Sequence, residues 1–214
     1  MAQDKLLSTK QARQVLQTIN EMYPDAKSEL IWDNKFHLLC AVLMSAQTTD
    51  KMVNRVMPKF MQDYPTPKDL AQASIIEIEQ HISQIGLYHS KAKHLKAMAK
   101  ILVHKYHSEI PPDKKILVTL PGVGEKTANV VLADGYGVPA IAVDTHVARI
   151  AKRFHIVDQN AKPLQIEKRL EQILPKNEWI HTHHAMILFG RYSMTARDKD
   201  DPYSYLKPNQ KSIH

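Results

Sequence analysis

The chain is nearly devoid of cysteine. A single thiol, Cys40, in 214 residues excludes an internal disulfide and any metal site assembled from several cysteines. Glycine is scarce at six residues, and no Gly/Ser-rich or low-complexity stretch marks a flexible linker. No run approaches the ~18 apolar residues that a membrane span needs. The opening MAQDKLLSTKQARQ has neither an apolar core nor a small-residue cleavage site. Together these absences point to a reducing, cytoplasmic setting and away from export or membrane insertion. Strand-like alternation is also missing, which leaves no sheet to build.

What the chain does have is helical periodicity and positive charge. With 43% hydrophobic residues it can fill one large or two small cores, and its net charge of +7 suits a polyanionic partner. Ser8 is placed to cap a helix with Ala12, Val15, Leu16, Ile19 and Met22 on one side, ending at Tyr23-Pro24. Lys35 to Ala46 is apolar nearly all round, the pattern of a helix buried in a domain, with Cys40 as plain core. Asp50 reads as the cap of the next helix, which Pro58 should kink or stop. Thr66-Pro67 and the Ser74/Glu77 pair open two short helices. A longer helix from about Ser90 to Tyr106 buries Ala92, Leu95, Ala99 and Leu102 and should turn Lys91, Lys93, Lys96 and Lys100 outward, as a solvated face or as DNA contacts. Further helices are expected near 125–132, 145–154, 164–174 and 178–192. The fold class is therefore all-α. The stretch from Asp198 is polar, with little periodicity, and reads equally as an ordered or a frayed tail.

The most informative segment is LPGVGEKTANVVLADGYGVPAIAVDTH, Leu120 to His146. Gly122 and Gly124 allow a tight turn whose N–H groups approach an anion, and a helix starting near Glu125 adds the positive end of its dipole. Lys126 falls in the first helical turn, where that potential disfavours a further positive charge, and a free amine is a nucleophile. Asp144 follows eighteen residues later. Taken singly, Lys126 is as readily a surface lysine touching phosphate, and Asp144 a helix cap.

Five segments carry a wider likeness: MSAQTTD (Met44 to Asp50), IGLYHSKA (Ile85 to Ala92), LPGVGEKTANVVL (Leu120 to Leu132), AIAVDTHVARI (Ala140 to Ile150) and HHAMILFGRY (His183 to Tyr192). In order and spacing the chain resembles the endonuclease III family of helix-hairpin-helix DNA glycosylases, over nearly its whole length. The resemblance implies two helical domains with a DNA cleft between them. One is a six-helix block at 28–138 carrying the hairpin; the other combines 1–27 with 139–214. It implies a bifunctional DNA glycosylase and AP lyase of base excision repair, acting on oxidised pyrimidines in damaged double-stranded DNA. The protein would be a monomer, nucleoid-associated in the cytoplasm.

Lys126 would be the Schiff-base nucleophile and Asp144 the catalytic carboxylate across the cleft. Gln47 and Leu87, with Ile85 assisting, would fill the space left by a flipped nucleotide. Gly122, Val123, Gly124 and Thr127 would hold backbone phosphate, and His146 would steady Asp144 or touch the backbone. Arg149, Lys152 and Arg153 are candidate backbone contacts. His181, His183 and His184 have no acid or cysteine cluster beside them and read as structural or phosphate-facing, not as metal ligands. Alternatives within the same resemblance are an AP lyase with little or altered base excision and a non-catalytic protein that binds distorted DNA.

One departure from the family stands out. Many members hold a [4Fe–4S] cluster with four thiolates spaced C-x6-C-x2-C-x5-C. Here those places fall on Met194, Asp201, Ser204 and Gln210, and none supplies a thiolate. The expectation is a chain without the cluster and with no metal site, although the resemblance leaves room for a monovalent cation at the hairpin backbone. The loop the cluster would organise must be packed by residues such as Tyr203, Tyr205 and Leu206, or be loose.

Overall fold

The computed structural model describes residues 5–206, and among these every regular element is a helix. The chain divides into two compact units: Glu29–Val138, and a second that joins the chain up to Ser28 to the chain from Pro139 onward.

The continuous unit is built around α2 (Lys35–Met44), in which nine of ten residues are buried. Cys40 lies at its middle, inaccessible, and burial pushes its thiol well above the usual range. Asn34 caps α2 by accepting from the His37 N–H. Next comes α3 (Asp50–Asp63), capped by Thr49 rather than by Asp50. Pro58 sits inside α3 and does not stop it. Pro58 itself is exposed, whereas Val53, Val56, Met57 and Phe60 pin the helix to the core on both sides of it. Their burial outweighs the roughly 3 kcal/mol that an interior proline costs. Capping boxes at Thr66/Asp69 and Ser74/Glu77 start α4 (Pro67–Gln72) and α5 (Ile75–His81).

Both short helices pack on α6 (Tyr88–Tyr106), which also contacts α2. The unit closes with α7 (Lys114–Leu117), a single turn without a sequence signature, and α8 (Glu125–Tyr136), which ends at Gly137 in the left-handed region.

The discontinuous unit contains α1 (Thr9–Met22), α9 (Thr145–Arg153), α10 (Pro163–Ile173) and α11 (Trp179–Leu188), the last continuing as a π-helix over Phe189–Ser193. Ser8 and Gln11 form the capping box of α1, whose Ala12, Val15, Leu16 and Ile19 are buried. Polar bonds tie this N-terminal helix to chain some 160 residues later: Arg13 donates to the Ile173 carbonyl and to Glu178, and Asn20 donates to Thr182. The Tyr23 hydroxyl bonds Ser193 at 2.8 Å. No helix among the described residues is long and apolar enough to cross a membrane.

Candidate active site and nucleic-acid interface

The hairpin is a chain of tight turns. The amides of Leu117 and Val118 close the single turn of α7, Leu120 donates to Leu117, and Val123 donates back to Leu120 at 3.0 Å. Lys114 of α7 pairs with Glu125 at the head of α8, Nζ to Oε2 2.7 Å, which joins the two helices of the hairpin directly.

The two glycines do different work. Gly122 has φ +78°, and a Cβ on it would lie 3.0 Å from Leu43 Cδ1 and from His94 Cβ. It is glycine because both backbone angle and space demand it. Gly124 is extended (φ −95°, ψ 178°), and a Cβ there would meet nothing within 4 Å. Its conformation does not require glycine. What it provides is open space in front of the unpaired N–H groups that begin α8, where it serves as N-cap without a side chain.

Val123 departs from its expected role, since its side chain belongs to the hydrophobic core and its N–H is used within the turn. Its one remaining polar backbone atom is a carbonyl oxygen, an acceptor that does not bond a phosphate oxygen. Lys126, the second residue of α8, is exposed, and Thr127 beside it is half-buried.

Gln47 and Leu87 occupy neighbouring tips of the same unit. Both are exposed and both are in the left-handed region, φ 55° and 58°, which non-glycine residues enter rarely. Leu87 is 62% exposed, which removes ordinary core packing as its explanation. The two tips touch through Gly86, whose missing side chain leaves the Gln47 carbonyl oxygen 3.2 Å from where a Cβ would stand. Ile85 corrects the expectation: it is 1% exposed and packed in the core, so it underpins Leu87 and presents no side chain to DNA.

Lys91 is a second correction. Its neighbours Lys93 and Lys100 are exposed as expected, but Lys91 is buried, and Lys96 bonds the Ala73 carbonyl. The Lys91 ammonium donates to the carbonyls of Met44 (2.8 Å) and Ala46 (2.6 Å) and to Thr48 Oγ1 (3.0 Å). All three of its N–H bonds are spent, so no lone pair is available for attack.

In the other unit, Asp144 is the N-cap of α9, with Oδ1 accepting from the Val147 N–H at 2.8 Å. The cap fixes a half-exposed carboxylate in one orientation. His146, in the first turn, is held against the π-helix: a Cβ on Gly190 would lie 3.0 Å from both His146 Cβ and Nδ1. Burial pushes the His146 imidazole below its ordinary pKa; Asp144 opposes the shift, while the Arg149 and Arg191 charges add to it. Two motifs separate in sequence, VDTH and FGRY, are thereby packed together.

Arg149 and Arg153 do not project from α9 as backbone contacts for DNA. Arg149 Nη2 donates to the carbonyls of Gly190 (2.6 Å) and Met194 (3.0 Å), and Arg153 bonds the carbonyls of Asp198 and Asp200. Tyr203 packs edge-on against Phe154 at 5.3 Å, and the Tyr205 hydroxyl donates to Asp200. Up to Leu206 the C-terminal stretch is thus stitched down by arginine forks and one aromatic contact. His183 and His184 are buried with rings 4.9 Å apart, so neither faces phosphate.

The cluster positions show why a [4Fe–4S] group does not fit. Met194 is core, Asp201 accepts from the Tyr203 amide, and Ser204 donates to the Asp201 carbonyl. Gln210 lies outside the described residues. The one thiol is buried in the other unit, and among the described residues no group of three or more His, Cys, Asp or Glu is placed to hold a metal ion.

Comparison with known proteins agrees with this architecture. Residues 40–176 match the family described as HhH-GPD superfamily base excision DNA repair protein. Endonuclease III of Bacillus subtilis (strain 168) is 45% identical over 192 residues, 90% of this chain and 88% of that protein. A trapped endonuclease III–DNA covalent intermediate, an estranged-adenine complex, superposes with a TM-score of 0.88 at 46% identity, covering 90% of this chain and 91% of the other. A non-covalent endonuclease III–DNA complex gives the same TM-score and identity, 0.88 and 46%, with 90% of each chain covered.

Proposed function

The chain belongs to the endonuclease III family of helix-hairpin-helix base excision repair proteins, and from that membership we propose that it is a bifunctional DNA glycosylase and AP lyase acting on oxidised pyrimidines in duplex DNA. The observation that carries this reading is Lys126: an exposed amine one residue into the helix that follows a phosphate-ready hairpin.

A base inside a duplex is out of reach, so the nucleotide must be turned out of the stack, and lesions that pair or stack poorly lower that cost of a few kcal/mol. The hairpin N–H groups and the positive end of α8 grip the phosphate beside it. The Lys126 amine attacks the sugar C1′, and the electrons of the glycosidic bond leave with the base, which takes up a proton. Opening of the sugar ring leaves an imine between Lys126 and C1′. The 2′ proton is then acidic. Its removal drives β-elimination of the 3′ phosphate, nicking the strand, and water releases Lys126.

Asp144, already oriented by its cap, supplies a carboxylate to stabilise positive charge developing on the sugar and to assist the proton transfers. Gln47 and Leu87 are the residues we assign to the vacated stack, where a wedge recovers part of the unstacking cost. We further propose that the enzyme works without an iron–sulfur cluster, its C-terminal stretch organised by Arg149 and Arg153 instead.

Borohydride reduction in the presence of DNA carrying an abasic or oxidised site is expected to trap a covalent adduct at Lys126, with Lys126→Gln giving none. An equal yield from Lys126→Gln would sink the assignment. Release of free base measured beside strand nicking separates a full glycosylase from a lyase that acts on abasic sites alone.

A further inference from the structure

Gln47 and Leu87 hold a backbone conformation that costs free energy unless their surroundings impose it. The segment from Ser45 to Thr49 that carries Gln47 has few bonds of its own: Ser45 closes the end of α2, and the Thr48 amide donates to the Ser45 carbonyl at 3.1 Å. The side chain that fills this turn comes from elsewhere. Lys91 enters from the first turn of α6, where its own amide donates to the Leu87 carbonyl at 3.1 Å. From there its ammonium reaches the last carbonyl of α2, the Ala46 carbonyl next to Gln47, and the hydroxyl of Thr48 on the far side.

One residue therefore touches both tips, Leu87 by its backbone and the Gln47 loop by its side chain. A cation is suited to this place because the carbonyl end of a helix carries negative potential and lacks partners. Burial of a charge is tolerated only when its donors are satisfied, and here three donors meet three acceptors. Burial also pulls the Lys91 pKa down, as expected for an amine enclosed in the fold. A neutral side chain of the same length could fill the space but could not hold the two carbonyls and the hydroxyl together.

We propose that Lys91 is a positioning residue for nucleotide extrusion: its buried ammonium locks the Gln47 loop to the Leu87 helix start, so that the two tips enter the gap in the DNA as one preformed wedge. This rests on the assignment of Gln47 and Leu87 to that gap. Lys91 touches neither DNA nor the reacting atoms. Its loss should separate steps that need the wedge from steps that do not.

A duplex has a base opposite the lesion to be held away, whereas an abasic site in single-stranded DNA has none. Borohydride trapping is measured on both substrates with the full-length protein, and the ratio of duplex to single-strand adduct is taken. Lys91→Met is expected to lower that ratio about ten-fold or more, within the range a misplaced positioning group costs. In a duplex carrying an uncleavable abasic analogue, 2-aminopurine placed opposite should brighten on binding to the unaltered protein and brighten much less with Lys91→Met.

Thr48→Val, which removes one of the three acceptors and disturbs the fold little, should move both readouts in the same direction by a smaller factor. Combined with Lys91→Met it should add nothing further. A Lys91→Met or Thr48→Val protein that melts cooperatively and keeps the unaltered ratio and brightening overturns the proposal, as does a fall in both arms by one common factor. If the unaltered protein itself yields no adduct, the enzymatic reading fails instead, and the 2-aminopurine signal still decides whether Lys91 positions the wedge.

Discussion

The two hairpin glycines offer a matched pair of perturbations in which one methyl group, added two residues apart, should produce opposite phenotypes. At Gly122 the methyl must adopt φ +78° and displace Leu43 and the base of His94, each 3.0 Å from its position. Left-handed backbone costs a non-glycine residue about 1–2 kcal/mol, and overpacking a filled site typically costs about 1–3 kcal/mol. The sum for Gly122→Ala is about 2–5 kcal/mol, or a melting temperature lower by roughly 4–20 °C for a chain of this size.

At Gly124 there is neither strain nor collision, and alanine in place of a glycine N-cap should cost no more than about 1 kcal/mol. There the methyl instead occupies the space through which a phosphate approaches the first N–H groups of α8. Gly124→Ala should therefore melt within a few degrees of the unaltered protein yet bind an uncleavable abasic duplex about ten-fold more weakly, the worth of about one charge-assisted hydrogen bond. Thermal unfolding and fluorescence anisotropy at fixed salt measure the two effects on the same samples. A Gly124→Ala protein that binds normally, or a Gly122→Ala protein as stable as its parent, would refute the division of labour.

Two other predictions concern α9. Arg149→Met strands the carbonyl of Met194, a loss of about 1–3 kcal/mol for a group left without a donor, and leaves that of Gly190 to His146 alone, while Arg153→Met releases the chain at Asp198 and Asp200. Trypsin should then cut at Arg197 and Lys199 faster in Arg153→Met than in the unaltered protein; equal rates would mean that the arginine fork does not hold this stretch. For His146 the folded pKa lies below the ordinary 6.5, so the unfolded chain takes up the proton first as pH falls. Its contribution to stability is present above about pH 6.5 and is lost progressively until the folded imidazole also protonates. Between about pH 7 and 5 the melting temperature should fall more steeply for the unaltered protein than for His146→Gln, and parallel curves would remove His146 as the cause.

The elements that sequence discloses are those whose signals are local. Ser8 and Thr66 cap the helices expected of them, Ser74 forms the capping box that its spacing announces, and the apolar run from Phe36 to Met44 is buried as its composition requires. Pro58 does not stop α3, because buried contacts that no local rule includes hold the helix on both sides of it. The four residues of α7 carry no period to detect, although they form half of the hairpin. Nothing in composition changes at Ser28 or Val138, since the discontinuous unit is defined by contacts such as Asn20 with Thr182 that join distant parts of the chain.

The polar residues around the site fail in one consistent direction. Lys91, Arg149 and Arg153 lie on helix faces that pattern assigns to solvent or to DNA, yet each turns its charge onto backbone carbonyls at a helix end or in irregular chain: Met44 and Ala46 at the end of α2, Gly190 and Met194 at the end of the π-helix, and Asp198 and Asp200. The last carbonyls of a helix and those of irregular chain lack intrahelical partners, so they need donors from outside. Long cationic side chains can supply several donors from one point. Hydrophobic periodicity is blind to that demand because it scores the side chain offered and not the carbonyls awaiting it. On the proposed cluster-free reading the consequence is specific. The backbone of the C-terminal stretch is held by cations, and that part of the fold should respond to arginine substitution.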